Sequence, residues 1–361
     1  MIMDISFFKK LNKQSLGKYE SLMNSIAVSA LVCFVFIYVG GYTLEFWGSV
    51  MYEALGSTNI FNFIFLIIQC IADFATILVP VKIFNFMNSS TYSDEYMPVE
   101  KKILPEGAIP YVLLLGLSAN HIVALFNDKI VDLFGNSNSA ADFLYRGGFQ
   151  YNYQIFFYLF SISVIPAIAE EIFCRKALCN ALAPYGQKTS IIVSALVFSL
   201  LHADFARFIY TFVFGIAAAW LYVGTKSLKW SMLMHFINNF LAGLSIVLYY
   251  KVSSDAYNIF NTILLIVYIP MAIICVWRLL KIKKERDDIE RLASRVGGTL
   301  EQYNEHKKKY AKRLEMLPTE DGEEIIPLTR KEKSKGFFSP LMIVYIVIAL
   351  LLALGKFYNQ I

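Results

Sequence analysis

Two adjacent carboxylates, Glu170 and Glu171, follow the nearly unbroken apolar run Ile155–Ala169, and Arg175 stands four residues further on. Charge placed in hydrocarbon costs about 2.5–3.5 kcal/mol even on insertion scales, so an acid kept there marks a candidate functional site. If this stretch is helical, residues four apart stack on one face, and Glu171 and Arg175 can pair. Glu170 then points about 100° away, toward a different neighbour. One carboxylate is neutralised and the other is left for work.

The chain has only four histidines. His306 lies in a polar stretch, whereas His121, His202 and His235 fall in apolar ones. His202 closes Phe198-Ser199-Leu200-Leu201-His202 and His235 opens His235-Phe236-Ile237-Asn238-Asn239, so His235 and Asn239 share a helix face. Glu170 is a candidate general base, and a histidine beside it can hold and deprotonate a water. A second histidine with an asparagine can donate hydrogen bonds to a developing oxyanion. Base, water and oxyanion donors make an acyl-hydrolysis site that needs no serine or cysteine nucleophile, and no Gly-x-Ser-x-Gly is present. Glu170, His202 and His235 are also a common zinc set. The usual His-Glu-x-x-His is absent, and we read the site as metal-free and without a cofactor. Taken singly, each of these residues is as well explained by interhelical hydrogen bonding. Asp73, and the pair Asn120 and His121, are read as packing or interhelical bonds, with the cavity as the alternative for Asp73.

These residues must be positioned by membrane helices. The chain has 361 residues, 57% of them hydrophobic and 17% charged, with a mean hydropathy of +0.52. Soluble domains carry about 25% charged residues. The apolar residues fall into long runs that do not alternate, which excludes a β-barrel and predicts an all-α polytopic membrane bundle. Nine spans are expected, at about 24–46, 59–83, 108–127, 153–182, 189–204, 207–224, 230–250, 257–280 and 338–356. Pro166 is expected to kink the fourth. Helix rise puts Glu170 roughly 18 Å, His202 roughly 21 Å and His235 roughly 10 Å from the inner helix ends, compatible with one cavity. Lys and Arg concentrate in alternate loops, which predicts a cytosolic N-terminus. Residues 1–280 form the expected membrane domain, with its core at 150–245. Residues 281–337 read as a cytosolic polar arm with helices at Glu285–Arg295 and Leu300–Leu314, and 338–361 as a last span and tail. The net charge of +5 is read as topology and not as nucleic-acid affinity. Five scattered cysteines form no CxxC pair and are read as small buried residues.

Glu-Glu-x-x-x-Arg at 170–175, Phe-x-x-x-His at 198–202 and His-x-x-x-Asn at 235–239, in that order on successive apolar segments, resemble the CAAX-protease and bacteriocin-processing (CPBP, or Abi) family of intramembrane proteases. Gly215, Thr225-Lys226-Ser227 and Trp230 add to the likeness, which covers about 150–245. Lys176 departs from it, where many members have glycine. The resemblance implies that Glu170 and His202 activate water, that His235 and Asn239 form an oxyanion hole, and that Glu171 and Arg175 support them. The implied substrate is a membrane-associated or lipidated protein or peptide: a prenylated tail, a bacteriocin leader or a transmembrane signalling protein. The implied location is the cell membrane. The alternatives are a non-catalytic immunity or binding protein on the same scaffold, a zinc-dependent intramembrane protease, and a proton-coupled carrier relaying through Glu170 and Asp73.

Overall fold

The structure is a computed structural model and describes residues 5–55, 59–88, 104, 106–134, 149–296 and 328–358. Every regular element among them is helical. Helix α1 (Ile5–Val35) runs through a π-helical turn at Phe36–Gly40 into α2 (Gly41–Leu55). It is followed by α3 (Asn59–Met87) and α4 (Ile109–Phe134). The next segment is interrupted: α5 (Asn152–Leu159), a π turn at Phe160–Val164, α6 (Ile165–Glu171), a second π turn at Ile172–Cys179 and α7 (Asn180–Leu182). Then come α8 (Gln187–Leu201), α9 (Phe205–Thr225), α10 (Leu228–Lys251), α11 (Ser254–Val296), α12 (Arg330–Phe337) and α13 (Pro340–Tyr358).

Among the described residues, seven helical segments are long and apolar enough to cross a membrane, and α12 with α13, bent by 64°, makes an eighth if the two are one span. The fifth expected span is the exception. It is α8, with 15 residues, about 22 Å long against a hydrocarbon layer of about 30 Å. Its ends are fixed by tight backbone: Gly186 precedes it at φ 102°, a conformation that favours glycine, and Ala203 follows at φ 43°. Asp204 then caps α9, its carboxylate accepting from the Ala206 amide at 2.9 Å. Helix α8 is therefore held inside the bundle by its neighbours, above all α9 and the π turn at Ile172–Cys179. Gly215 of α9 makes the crossing possible, since a Cβ there would lie 3.0 Å from the Ala195 backbone.

Helix α9 sits between α4 and α8, α11 lies along α4, and α13 packs against α1. The outward faces are apolar: Ile266 and Ile273 of α11 are each 66% exposed. A surface of this kind is matched by acyl chains, not by water. The expected arm helix at Glu285–Arg295 is present, but as a direct continuation of α11 rather than as a separate surface helix. Lys331–Lys335 falls in α12, which is capped reciprocally by Thr329 and Glu332. The expected helix at Leu300–Leu314, the acidic loop after Thr319 and His306 lie outside the described residues.

Candidate active site

Glu170, Glu171 and Arg175 lie on the interrupted segment α5–α7, His202 at the end of α8, and His235 and Asn239 on α10. Pro166 has no N–H, so the carbonyl four residues earlier, Ile162, loses its helical donor. That carbonyl lies in the first π turn, and the Asn239 amide supplies the missing donor, Nδ2 to Ile162 O at 3.0 Å. Asn239 is itself held. Its Oδ1 accepts from Asn238 Nδ2 at 3.0 Å, and Asn238 Oδ1 accepts from Asn120 Nδ2 at 2.7 Å. A line of amides thus ties α4 to α10 and α10 to the π turn about two turns before Glu170. Close approach is permitted by Gly243, one turn beyond Asn239, where a Cβ would strike the side chains of Ile162 and Leu159.

Glu171 pairs with Arg175, as their spacing predicts, and both glutamates face His235. Glu171 and Arg175 are both wholly buried, with Nε 3.1 Å from Oε2. The other oxygen of Glu171 accepts from His235 Nδ1 at 3.0 Å. Arg175 also donates from Nη1 to Ser194 Oγ at 2.9 Å, and that hydroxyl donates to the Cys174 carbonyl at 2.6 Å. Phe198 lies under the guanidinium at 5.0 Å and touches the rings of both His202 and His235. With Nδ1 committed to Glu171, His235 turns Nε2 toward Glu170, at 3.8 Å from Oε2. That separation is too long for a hydrogen bond. Glu170 keeps 22% of its side chain exposed, in contrast to its buried neighbour.

Glu170 and His202 line one cavity of about 740 Å³, together with Asp73, Tyr38, Phe198 and Lys356. His202 Nδ1 is 2.9 Å from the Phe198 carbonyl, which can only accept, so Nδ1 carries the proton and Nε2 the lone pair. Ser161 donates to Asp73 Oδ2 at 2.5 Å, so this acid is both paired and part of the cavity wall. His235 and Asn239 are not among the lining residues. The cavity therefore holds a carboxylate and an imidazole lone pair, and His235 and the amide line stand behind them.

Asn120 makes the interhelical bond expected of it, and His121 beside it reaches α11, at the Asn261 backbone and on Tyr268 with ring centroids 5.1 Å apart. Among the described residues, no three His, Cys, Asp or Glu side chains are grouped as a metal ligand set. Three contributors have no part in the motifs. Ser194 anchors Arg175, Asn238 links the amides, and Lys356 reaches the cavity from α13. Ser190 and Ser194 stand four apart in an apolar run, a polar stripe readable in the sequence. Lys356 closes the last apolar run and has the look of an ordinary flanking charge.

This fold and site define a multi-pass membrane protein with a carboxylate and two histidines gathered inside an apolar bundle. Residues 152–241 match the family model described as type II CAAX prenyl endopeptidase Rce1-like. The match spans about a quarter of the chain and contains Glu170, Glu171, Arg175, His202, His235 and Asn239. The class indicated is a membrane-embedded endopeptidase. No curated protein and no solved structure matches the chain.

Proposed function

We propose that this protein hydrolyses a peptide bond in a membrane-associated or lipidated substrate, using a water activated by Glu170 and His202. The observation that carries the proposal is the shared cavity. The glutamate not bound by Arg175 and the His202 imidazole line the same space. Glu170 takes the proton of the water, and His202 Nε2 accepts a hydrogen bond that orients it. The resulting hydroxide attacks the scissile carbonyl. His235 donates from Nε2 to the oxyanion, which requires Nε2 as well as Nδ1 to be protonated. Asn239 contributes its second Nδ2 hydrogen, since the first is held by Ile162. Glu171 and Arg175 orient His235. The leaving amine then takes the proton from Glu170.

We read the protein as residing in the cell membrane, with its N-terminus on the cytosolic side, on the distribution of Lys and Arg. The test is cleavage of a farnesylated peptide ending in a Cys-aliphatic-aliphatic-X tail by the protein in liposomes. Glu170→Gln is expected to lower the rate by at least about 100-fold, the lower range for a lost general base. Undiminished cleavage by Glu170→Gln refutes the assignment of the base. No cleavage by the wild-type chain, with this and with an unprenylated leader peptide, favours a non-catalytic scaffold.

A further inference from the structure

Residues 330–338 read Arg-Lys-Glu-Lys-Ser-Lys-Gly-Phe-Phe, and α12 sorts them into two faces. At 100° per residue, Arg330, Lys331, Ser334 and Lys335 fall within one arc of about 140°. All four are exposed. Glu332, Lys333, Gly336 and Phe337 fall on the opposite arc and are buried or half-buried. The one acid of the helix is thus turned away from the cations. The Glu332 carboxylate accepts from the Thr329 amide and hydroxyl, each at 2.7 Å, and so closes the cap. The outer face carries three positive charges and no negative one.

The inner face is anchored to the bundle. Gly336 lies against Tyr19 of α1, so close that a Cβ there would stand 2.6 Å from the ring. Lys333 donates from Nζ to the Tyr185 carbonyl, and Tyr185 packs on Tyr19 with ring centroids 4.6 Å apart. Lys188, exposed at the start of α8, adds a cation two residues beyond Gly186, which itself adjoins Lys333 Nζ. The outer cations therefore stand on a fixed platform, and little ordering is needed to present them.

The bend places that platform. Helix α12 is turned by 64° from α13, and α13 exposes Leu341, Ile343, Val344 and Val347 from its first turn onward. Phe338, 56% exposed, stands at the corner between the charged face and the apolar one. Cations above an aromatic ring above an aliphatic surface is the sequence of environments from headgroup to acyl chain. We propose that the outer face of α12 binds an anionic phospholipid, its phosphate held by Arg330, Lys331 and Lys335 and its upper acyl chain lying against Phe338. A guanidinium engages two phosphate oxygens at once, and the lysines add point charge. The occupant is a lipid and not a soluble anion because the cations adjoin an apolar surface, which a free phosphate leaves uncovered. This site is separate from the cavity and does not depend on the hydrolytic reading.

The test is native mass spectrometry of the full chain in a neutral detergent, titrated with phosphatidylglycerol and, in parallel, with phosphatidylcholine of the same acyl chains. A cation beside an anionic headgroup is worth about fivefold in affinity, so the wild type is expected to bind its first phosphatidylglycerol about 100-fold more tightly than phosphatidylcholine. Arg330→Gln with Lys331→Gln and Lys335→Gln is expected to bring that ratio to about threefold or less, with phosphatidylcholine binding and the unfolding midpoint unchanged, since all three side chains are exposed. Lys281→Gln with Lys283→Gln and Lys284→Gln removes three exposed cations from α11 and is expected to keep most of the ratio. Equal loss in the two triple variants overturns the site, because the preference then belongs to basic residues at large. So does a triple variant of α12 that binds both lipids equally weakly, since the headgroup is then not what it recognised. Glycerol phosphate in large excess is expected not to displace the lipid, and displacement overturns the lipid as occupant. Equal binding of the two lipids by the wild type overturns the site outright and leaves the face to another anion, such as the acidic stretch 320–324 of the same chain.

Discussion

Removing the guanidinium of Arg175 should do more harm than removing the ion pair it belongs to. Glu171 and Arg175 are both fully buried, and Nε and Oε2 are 3.1 Å apart. At an effective dielectric constant of about 20 their attraction is about 5 kcal/mol. Desolvation of the two ions offsets much of that, so the pair as a whole contributes little net stability. Arg175→Met leaves Glu171 as a buried anion without its cation, held by His235 and Ser231, and frees the Ser194 hydroxyl from its donor. The expected cost is about 3–5 kcal/mol. Glu171→Gln with Arg175→Met removes both charges and should recover at least about 2 kcal/mol of that loss. The assay is thermal or denaturant unfolding of the purified chain in detergent, for the wild type, both single variants and the double variant. A double variant no more stable than Arg175→Met refutes the argument, since it means that the loss comes from packing around Phe198 and not from an uncompensated charge. Activity provides an independent check. Conservative repair of the charge balance restores the fold but not the orientation of His235, so the double variant should fold and cleave poorly.

Three further outcomes follow from the same geometry. His202→Ala should lower cleavage of the farnesylated peptide by about 100-fold to 10,000-fold; its unfolding midpoint should shift little, because the ring makes only one side-chain hydrogen bond, to its own helix. Asn239→Ala should cost about 1–3 kcal/mol by leaving the part-buried Ile162 carbonyl without its donor, but less in a Pro166→Ala background, where residue 166 can again donate to that carbonyl; a double-mutant cycle with no coupling refutes the link. A zinc chelator should leave cleavage unchanged in a rate assay, and loss of activity restored by added zinc would recast Glu170, His202 and His235 as ligands.

The fold is legible in the sequence wherever hydropathy alone decides it. The starts of α3, α4, α9 and α10 lie within two residues of where apolar character begins. Hydropathy fails at α8, because a run of 16 apolar-rich residues can be a short span or a helix enclosed by others, and the difference lies in which neighbours surround it. It also fails at the end of α11, where Lys281–Lys284 marks a membrane boundary without ending the helix. The π turns are invisible to it, although Pro166 announces a local break.

The site divides in the same way. The opposed roles of Glu170 and Glu171 follow from a one-residue step on a helix, and the structure gives Glu171 to Arg175 and leaves Glu170 partly exposed in the cavity. What spacing cannot supply is contact between distant segments. His235 is 64 residues from Glu171, and nothing in either motif says that Nδ1 is committed to that carboxylate while Nε2 faces the other. Asn239 is read from its motif as an oxyanion donor, yet one of its two donors serves the carbonyl that Pro166 strands. That second duty explains why a proline and an asparagine 73 positions apart belong to one device. The proline removes a helical donor one turn before the proposed base, and the asparagine makes up the hydrogen-bond deficit. A π turn satisfied in this way holds Glu170 in place, as the proposed sharing of one water with His202 requires.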